Sequence, residues 1–316
     1  MSPVLFGVDR KSGCVYPLWT LGKKGKRMAR PMTVIADDYG IGAETSRGIL
    51  ELANRGILTG TVMIVNSGDA GRAVRAWKAD NPHADLGWHP NLTLDRPLSP
   101  IRDVPSLVGS DGNFLPLGRF LQRMSRAAIS RAEVVRELTA QHRRFVELVG
   151  NPPAVVNSHQ HVSLFPPVAG ALIEVLSAQH PKPYIRRVVE RTGTIWKVPG
   201  ARLKRAVLTS FGRRVARRAA GAGFPGCDWL AGVTDHGCVA DERFWVRWLR
   251  AVGGEGSLEV CCHPGYHDES LVGRDCGPGE GLLRRTRELA LLQAPSFRAA
   301  WEEAGFVPVR PSLMAA

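Results

Sequence analysis

Four short apolar runs, at 32–37, 84–88, 154–156 and 257–262, each stop at an acid or a histidine. The stops are Asp37 and Asp38, His89, His159 and His161, and His263. Runs of this length, with β-branched and apolar residues bounded by Gly, Pro and Asn, read as buried strands. Helical stretches separate them: 43–54 closed by Gly56, 70–78 broken by Asn81-Pro82, and 130–150 closed by Asn151-Pro152-Pro153. Ser130 is the expected cap of the last, with Glu133 at the capping-box position. Strand and helix alternate at the spacing of βαβ units, which predicts a parallel sheet with helices on its faces. In such a sheet all strand carboxyl ends gather on one side, and ligands bind there. Residues far apart in the chain are therefore expected to converge. Further strands are expected at 59–65, 184–188 and near Trp229-Leu230, and further helices at 167–178, 242–252, 281–292 and 296–304.

Two adjacent carboxylates at a strand end are costly unless something positive lies between them. A helix cap explains one such Asp but not both. One holding a metal and the other moving a proton explains the pair. One carboxylate and two neutral imidazoles with an open fourth position form a catalytic metal shell.

The motifs Ile35-Ala-Asp-Asp-Tyr-Gly40, Gly87-Trp-His-Pro-Asn-Leu92, Asn157-Ser-His-Gln-His161 followed by Leu164-Phe-Pro166, and Cys262-His-Pro-Gly265 carry a resemblance. In order and spacing they resemble the signature segments of the YdjC-like carbohydrate deacetylase family. That family includes chitooligosaccharide deacetylases and deacetylases associated with hopanoid biosynthesis. The resemblance implies an α/β, TIM-barrel-like (β/α) barrel, a single domain with its catalytic residues at the carboxyl ends of the strands. It implies a carbohydrate N-deacetylase with one divalent metal held at Asp38, His89 and His159. It also implies Asp37 as catalytic base and a place for His263 in the pocket, where it is expected to give a proton to the departing amine. Magnesium is the family's metal, whereas the two-imidazole ligand set suits zinc at least as well. Trp88, which stands where the family often has Leu or Met, is expected to shape the sugar site. His161, Arg186 and Trp229 are the other expected substrate-binding or supporting residues. Backbone amides near Tyr39–Gly40 are expected to hold the oxyanion. The helix carrying Arg285, Glu288 and Leu289 resembles the family's closing helix and reads equally as a salt-bridged surface helix.

Residues 1–30 read as a flexible basic extension and 31–316 as the deacetylase domain, with a basic amphipathic insertion at about 198–220. In that insertion Leu203, Val207, Leu208, Phe211 and Val215 recur at helical spacing among Arg and Lys. Such a composition suits an anionic membrane face, or an ordinary outer helix with a solvated basic side. The net charge of +13 also favours anionic partners. The basic residues have little aromatic interleaving and no nucleic-acid motif, so no nucleic acid is expected. The six cysteines form no CxxC pair, which sets aside a zinc knuckle and a disulfide framework. No apolar run approaches the roughly 20 residues of a membrane span.

The expected partners are thus an N-acetylated amino sugar, free or lipid-linked, a peripheral anionic membrane contact and a second copy in a homodimer. The expected location is the cytoplasm, extending to the inner membrane face. The rival readings are a metal-dependent hydrolase of a different amide or ester, and a basic membrane- or nucleic-acid-binding module.

Overall fold

The computed structural model of the protein describes residues 6–8, 15–17, 29–277 and 279–314. Within the expected extension over 1–30, β1 (Phe6–Val8) and β2 (Val15–Pro17) pair antiparallel. The rest of that segment up to residue 28 lies outside the described residues. The main sheet comprises β3 (Arg30–Tyr39), β4 (Gly60–Met63), β5 (Asp85–Trp88), β6 (Val155–Val156), β7 (Tyr184–Ile185), β8 (Trp229–Ala231), β9 (Leu258–Cys262) and β10 (Phe306–Pro308). Every pairing is parallel, in the order β7-β6-β5-β4-β3-β9-β8, and β10 adds to β3.

Helices α1 (Ala43–Asn54), α2 (Ala70–Asp80), α3 (Leu117–Ser125), α4 (Arg131–Val149), α5 (Val168–Leu176), α6 (Thr192–Lys197), α7 (Arg202–Gly221), α8 (Phe244–Ala251), α9 (Glu280–Gln293) and α10 (Pro295–Glu303) fill the connections. The arrangement is a barrel-like α/β domain whose hydrogen-bonded ladder does not close among the described residues. At the β7–β8 seam two isolated backbone bonds, Ile185 N–H to Pro225 O and Leu230 N–H to Val189 O, both at 2.8 Å, stand where a full barrel would have a ladder.

Alternation along the strands sorts the core into two layers. Ile35, Val62, Val155, Tyr184 and Cys227 form one buried cluster inside the curved sheet. Val34, Ala36, Met63 and Trp88 belong to the larger core on the helix side. Gly87 permits a close strand contact: a Cβ there would lie 2.0 Å from the Val155 carbonyl oxygen. Its absence lets β6 approach β5 and brings the segment after β6 beside His89.

The expected capping box at α4 forms by half. The Ser130 side chain accepts from the Glu133 amide. The Glu133 carboxylate instead accepts from Ser106 N–H at 2.7 Å. Glu137 accepts from Leu98 and Ser99 N–H at 3.0 and 2.8 Å, and Gln141 holds Asn91 N–H and C=O at 3.0 and 2.6 Å. Spaced four residues apart, these three side chains lie on one stripe of α4. They strap the long 90–117 connection to the helix.

Candidate active site

The run at 32–37 does not end at Asp37 as the apolar pattern suggests. β3 continues through Tyr39, with a register shift against β4 between Ala36 and Tyr39. Asp38 sits in the left-handed region at φ 66°. In an unbroken strand, neighbours face opposite ways. The bulge breaks that alternation, and both carboxylates meet groups from the other strand ends.

Asp37 is gripped by a guanidinium. Arg186 Nη1 donates to Oδ2 at 2.6 Å and Nη2 to Oδ1 at 2.8 Å, and Asn157 Nδ2 donates to Oδ1 at 3.1 Å. Behind Arg186 lies buried Glu259, which accepts from Arg186 Nε and, at 2.6 Å, from Tyr184 Oη. Burial alone raises the Asp37 pKa. The Arg186 charge and, after it, His89 overcome this and hold the carboxyl well below the carboxylate range. Cys261 Sγ lies 3.6 Å from Oδ2. Burial pushes this thiol well above its ordinary value, so it stays protonated. His263 Nε2 lies 3.7 Å from Oδ2.

Asp38 faces imidazoles. Its Oδ1 lies 3.0 Å from His159 Nδ1 and 3.3 Å from His89 Nε2, and its Oδ2 accepts from Arg285 at 2.8 Å. His89 Nδ1 is 2.9 Å from the Asn157 carbonyl oxygen, which orients the ring with Nε2 toward Asp38. His159 Nε2 points at Asp275, 3.5 Å away, and Asp275 also accepts from Arg285 at 2.8 Å. Burial would lower the His159 pKa, but the Asp38 and Asp275 carboxylates push it up to about 10.

His263 is set by α9. Its amide donates to Glu288 at 2.6 Å, and Arg284, itself bonded to Glu288, lies 3.3 Å from Nδ1. A guanidinium only donates, so Nδ1 accepts and the neutral ring carries its proton on Nε2, toward Asp37. Burial first, then the Arg284 charge, push its pKa down to about 4. Burial and Arg186 push His161 down to about 3, so both rings are neutral near pH 7.

Asp38, His89 and His159 form a buried group whose ligand atoms all lie within 4.8 Å of one another. The donor set fits a divalent metal: one carboxylate and two imidazoles, each ring's second nitrogen turned to an oxygen of the protein. Two buried polar atoms beside it, Asn157 Oδ1 and Arg285 Nη1, have no hydrogen-bond partner. An incomplete constellation of this kind is what a bound ion or substrate completes.

Five of the six strand-end residues, Asp37, Asp38, His89, His159 and His263, therefore converge, and His161 lies within electrostatic reach of Arg186, Asp37 and His263. Arg186 is present too, as the support behind Asp37 rather than at an open wall. Three expectations fail. Trp88 is fully buried and packs edge-on against His142 of α4, with ring centroids 5.6 Å apart. It cannot shape a sugar site, because on β5 it alternates with the inward His89. Trp229 begins β8, at the strand's amino end. Its Nε1 donates to Glu255 O at 3.1 Å and Arg191 stacks on its ring. It lies across the sheet from the carboxyl ends. The expected oxyanion amide of Gly40 is already taken by Ser46 Oγ at 3.0 Å. Asn157, Cys261, Asp275 and Arg284 join the site unforeseen. Asn157 lay within a quoted motif and was legible there. Asp275 and Arg284 had no strand-end signal.

Comparison with known proteins agrees with this geometry. The family model described as "YdjC-like protein" matches residues 31–303. A chitooligosaccharide deacetylase of Klebsiella pneumoniae subsp. pneumoniae is 30% identical over 283 residues, covering 88% of this chain and 97% of its own. A chitooligosaccharide deacetylase of Serratia marcescens is also 30% identical, over 89% of this chain and 97% of its own. A crystal structure of a proposed cellobiose-phosphate cleavage protein from Enterococcus faecalis V583 superposes with a TM-score of 0.70 at 23% identity. It covers 91% of this chain and 100% of that one, and it supports the fold. With its motifs, its strand-end constellation and a match over most of its length in agreement, the chain belongs to the YdjC-like protein family.

Proposed function

We propose that the protein is a metal-dependent N-deacetylase of an amino sugar, free or lipid-linked, acting in the cytoplasm. The observation that carries this reading is the division of labour between two adjacent acids, one paired to a guanidinium and one faced by two imidazoles. The deacetylase relatives support the choice of substrate. When bound by Asp38, His89 and His159, a divalent cation supplies Lewis-acid polarisation of the amide oxygen and a more acidic water. Magnesium and zinc both remain compatible with this reading.

Asp37 takes the proton of the attacking water as the carbon–oxygen bond forms. An acid held so far below its usual range is a weak base and a ready donor, so the proton passes on to the amide nitrogen. The carbon–nitrogen bond then breaks to give acetate and a free amine. Each assisted transfer contributes roughly 10²- to 10⁴-fold in rate. His263, neutral and protonated on Nε2, donates a hydrogen bond to the reacting amide. This narrows the acid role expected for it, because Arg284 on Nδ1 disfavours the charged ring. Arg186 fixes Asp37, and His161 forms part of the pocket wall.

The test is acetate release from N-acetylglucosamine, chitobiose and an N-acetylglucosaminyl lipid, with and without chelator, for native protein and Asp37→Asn. Release that requires both the metal and Asp37 is expected. No release from any of the three, with metal bound, moves the site to a different amide or an ester.

A further inference from the structure

Helix α7 carries seven basic residues and no acidic one over Arg202–Gly221. An ordinary outer helix turns its apolar stripe inward, and α7 does so only in part. Its buried positions are Arg205, Leu208, Thr209, Gly212 and Ala219. Leu203 is 80% exposed, Val207 43% and Phe211 37%. Trp196, on the short helix leading into α7, is 69% exposed.

The rotation of α7 is fixed by two independent contacts. Arg205 is buried against Glu190, with Nη2 to Oε2 at 2.6 Å, and stacks over Trp248. Gly212 presses on the 188 backbone so closely that a Cβ would lie 1.9 Å from the Val188 carbonyl oxygen. The outward Leu203, Val207 and Phe211 are therefore a property of the packing. Spaced four residues apart, they form one outward stripe. Arg214 and Arg218 continue it, with Arg213 and Arg217 beside them, all four exposed.

This face borders the active site. Phe211 packs against Phe165, centroids 5.1 Å apart, just beyond the segment that supplies His159 and His161. Lys204 lies within electrostatic reach of His161 and of Arg284, the residue that touches His263. Leu283, beside Arg284 on α9, is also exposed.

We propose that the outward face of α6–α7 docks on an anionic lipid bilayer, so that the active site opens at the membrane surface. Exposed Trp and Leu side chains insert at the headgroup boundary, while the unopposed guanidiniums meet anionic lipid headgroups. The charge complementarity selects this occupant: a second copy would bring the same unopposed positive charge against itself. No helix among the described residues is long and apolar enough to cross a membrane, so the contact is peripheral.

The experiment is vesicle sedimentation of the full chain with phosphatidylglycerol-containing and with pure phosphatidylcholine vesicles. Native protein is compared with Leu203→Asp/Phe211→Asp and with Arg213→Glu/Arg217→Glu, alongside acetate release from soluble chitobiose. Native protein is expected to pellet with the anionic vesicles only. Each double variant is expected to bind at least tenfold more weakly while keeping its native circular dichroism spectrum and its release from chitobiose. Equal binding to neutral vesicles overturns the proposal. So does anionic binding that neither variant weakens, which would place it in the basic residues before 31. A dimer in sedimentation velocity that Leu203→Asp dissociates assigns the face to a second copy and likewise overturns it. The chitobiose arm reads the deacetylase assignment separately, so either proposal fails without the other.

Discussion

Asp37 and Asp38 are neighbours in the chain, equally buried, and they live in different chemistry. Asp37 has both oxygens taken by the Arg186 fork, and a second carboxylate, Glu259, closes the far side of that guanidinium. Asp38 shares one oxygen between two imidazoles and gives the other to Arg285. A bidentate guanidinium pair has a fixed partner, and the carboxylate keeps a lone pair with which to accept a proton. Imidazoles around a carboxylate become, once deprotonated, a donor set that suits a divalent cation. Burial alone would raise both pKa values, so the difference lies in the partner each backbone direction reaches.

The largest effects are expected where the two roles separate. Asp37→Asn should reduce kcat by about 10²- to 10⁴-fold with metal affinity nearly unchanged in calorimetry. Asp38→Asn should instead abolish metal binding, since it removes one of three ligands. Equal loss of metal in both variants would break the comparison.

Asp275→Asn sharpens the Asp38 half. The second nitrogen of His159 would lose its carboxylate, and metal affinity should fall by roughly 10- to 100-fold, read by titration calorimetry. An unchanged affinity would remove Asp275 from the metal's support.

The pH dependence tests both halves. His159 has its folded pKa raised to about 10, and a metal ligand must be deprotonated. Metal affinity should therefore rise by roughly tenfold per pH unit below that value, with about one proton released on binding. His263 has its pKa lowered to about 4, so at saturating metal its ionisation should affect kcat/KM only at about that pH. A limb near 6.5 that disappears in His263→Asn would restore a charged acid at this position.

Trp88→Phe should have the smallest effect on catalysis. Its ring lies in the helix-side core, so kcat/KM should stay native. Stability should fall by about 2 kcal/mol, below the roughly 3–5 of a full truncation to Ala, measured by urea unfolding.

The sheet and its loaded edge were legible because each parallel strand is a short apolar run with its own punctuation. The sorting of Trp88 from His89 follows from the alternation of adjacent strand residues, a signal that the expectation of Trp88 at the sugar site passed over. What could not be read were the partners that give the two acids their roles. Arg186 is 149 residues from Asp37 and Arg285 is 247 from Asp38, and no local period links such pairs. The bulge at Asp38 was equally hidden, as it is a register relation between two strands. The outward turn of Leu203 was concealed because helical spacing shows that a stripe exists but not which way it faces.

The α4 stripe of Glu133, Glu137 and Gln141 bears on how the molecule breathes. The amides of Asn91, Leu98, Ser99 and Ser106 are closed by side chains of a long helix, so their hydrogen exchange should follow the opening of α4. The 90–117 connection then belongs to the slow-exchanging frame of the protein.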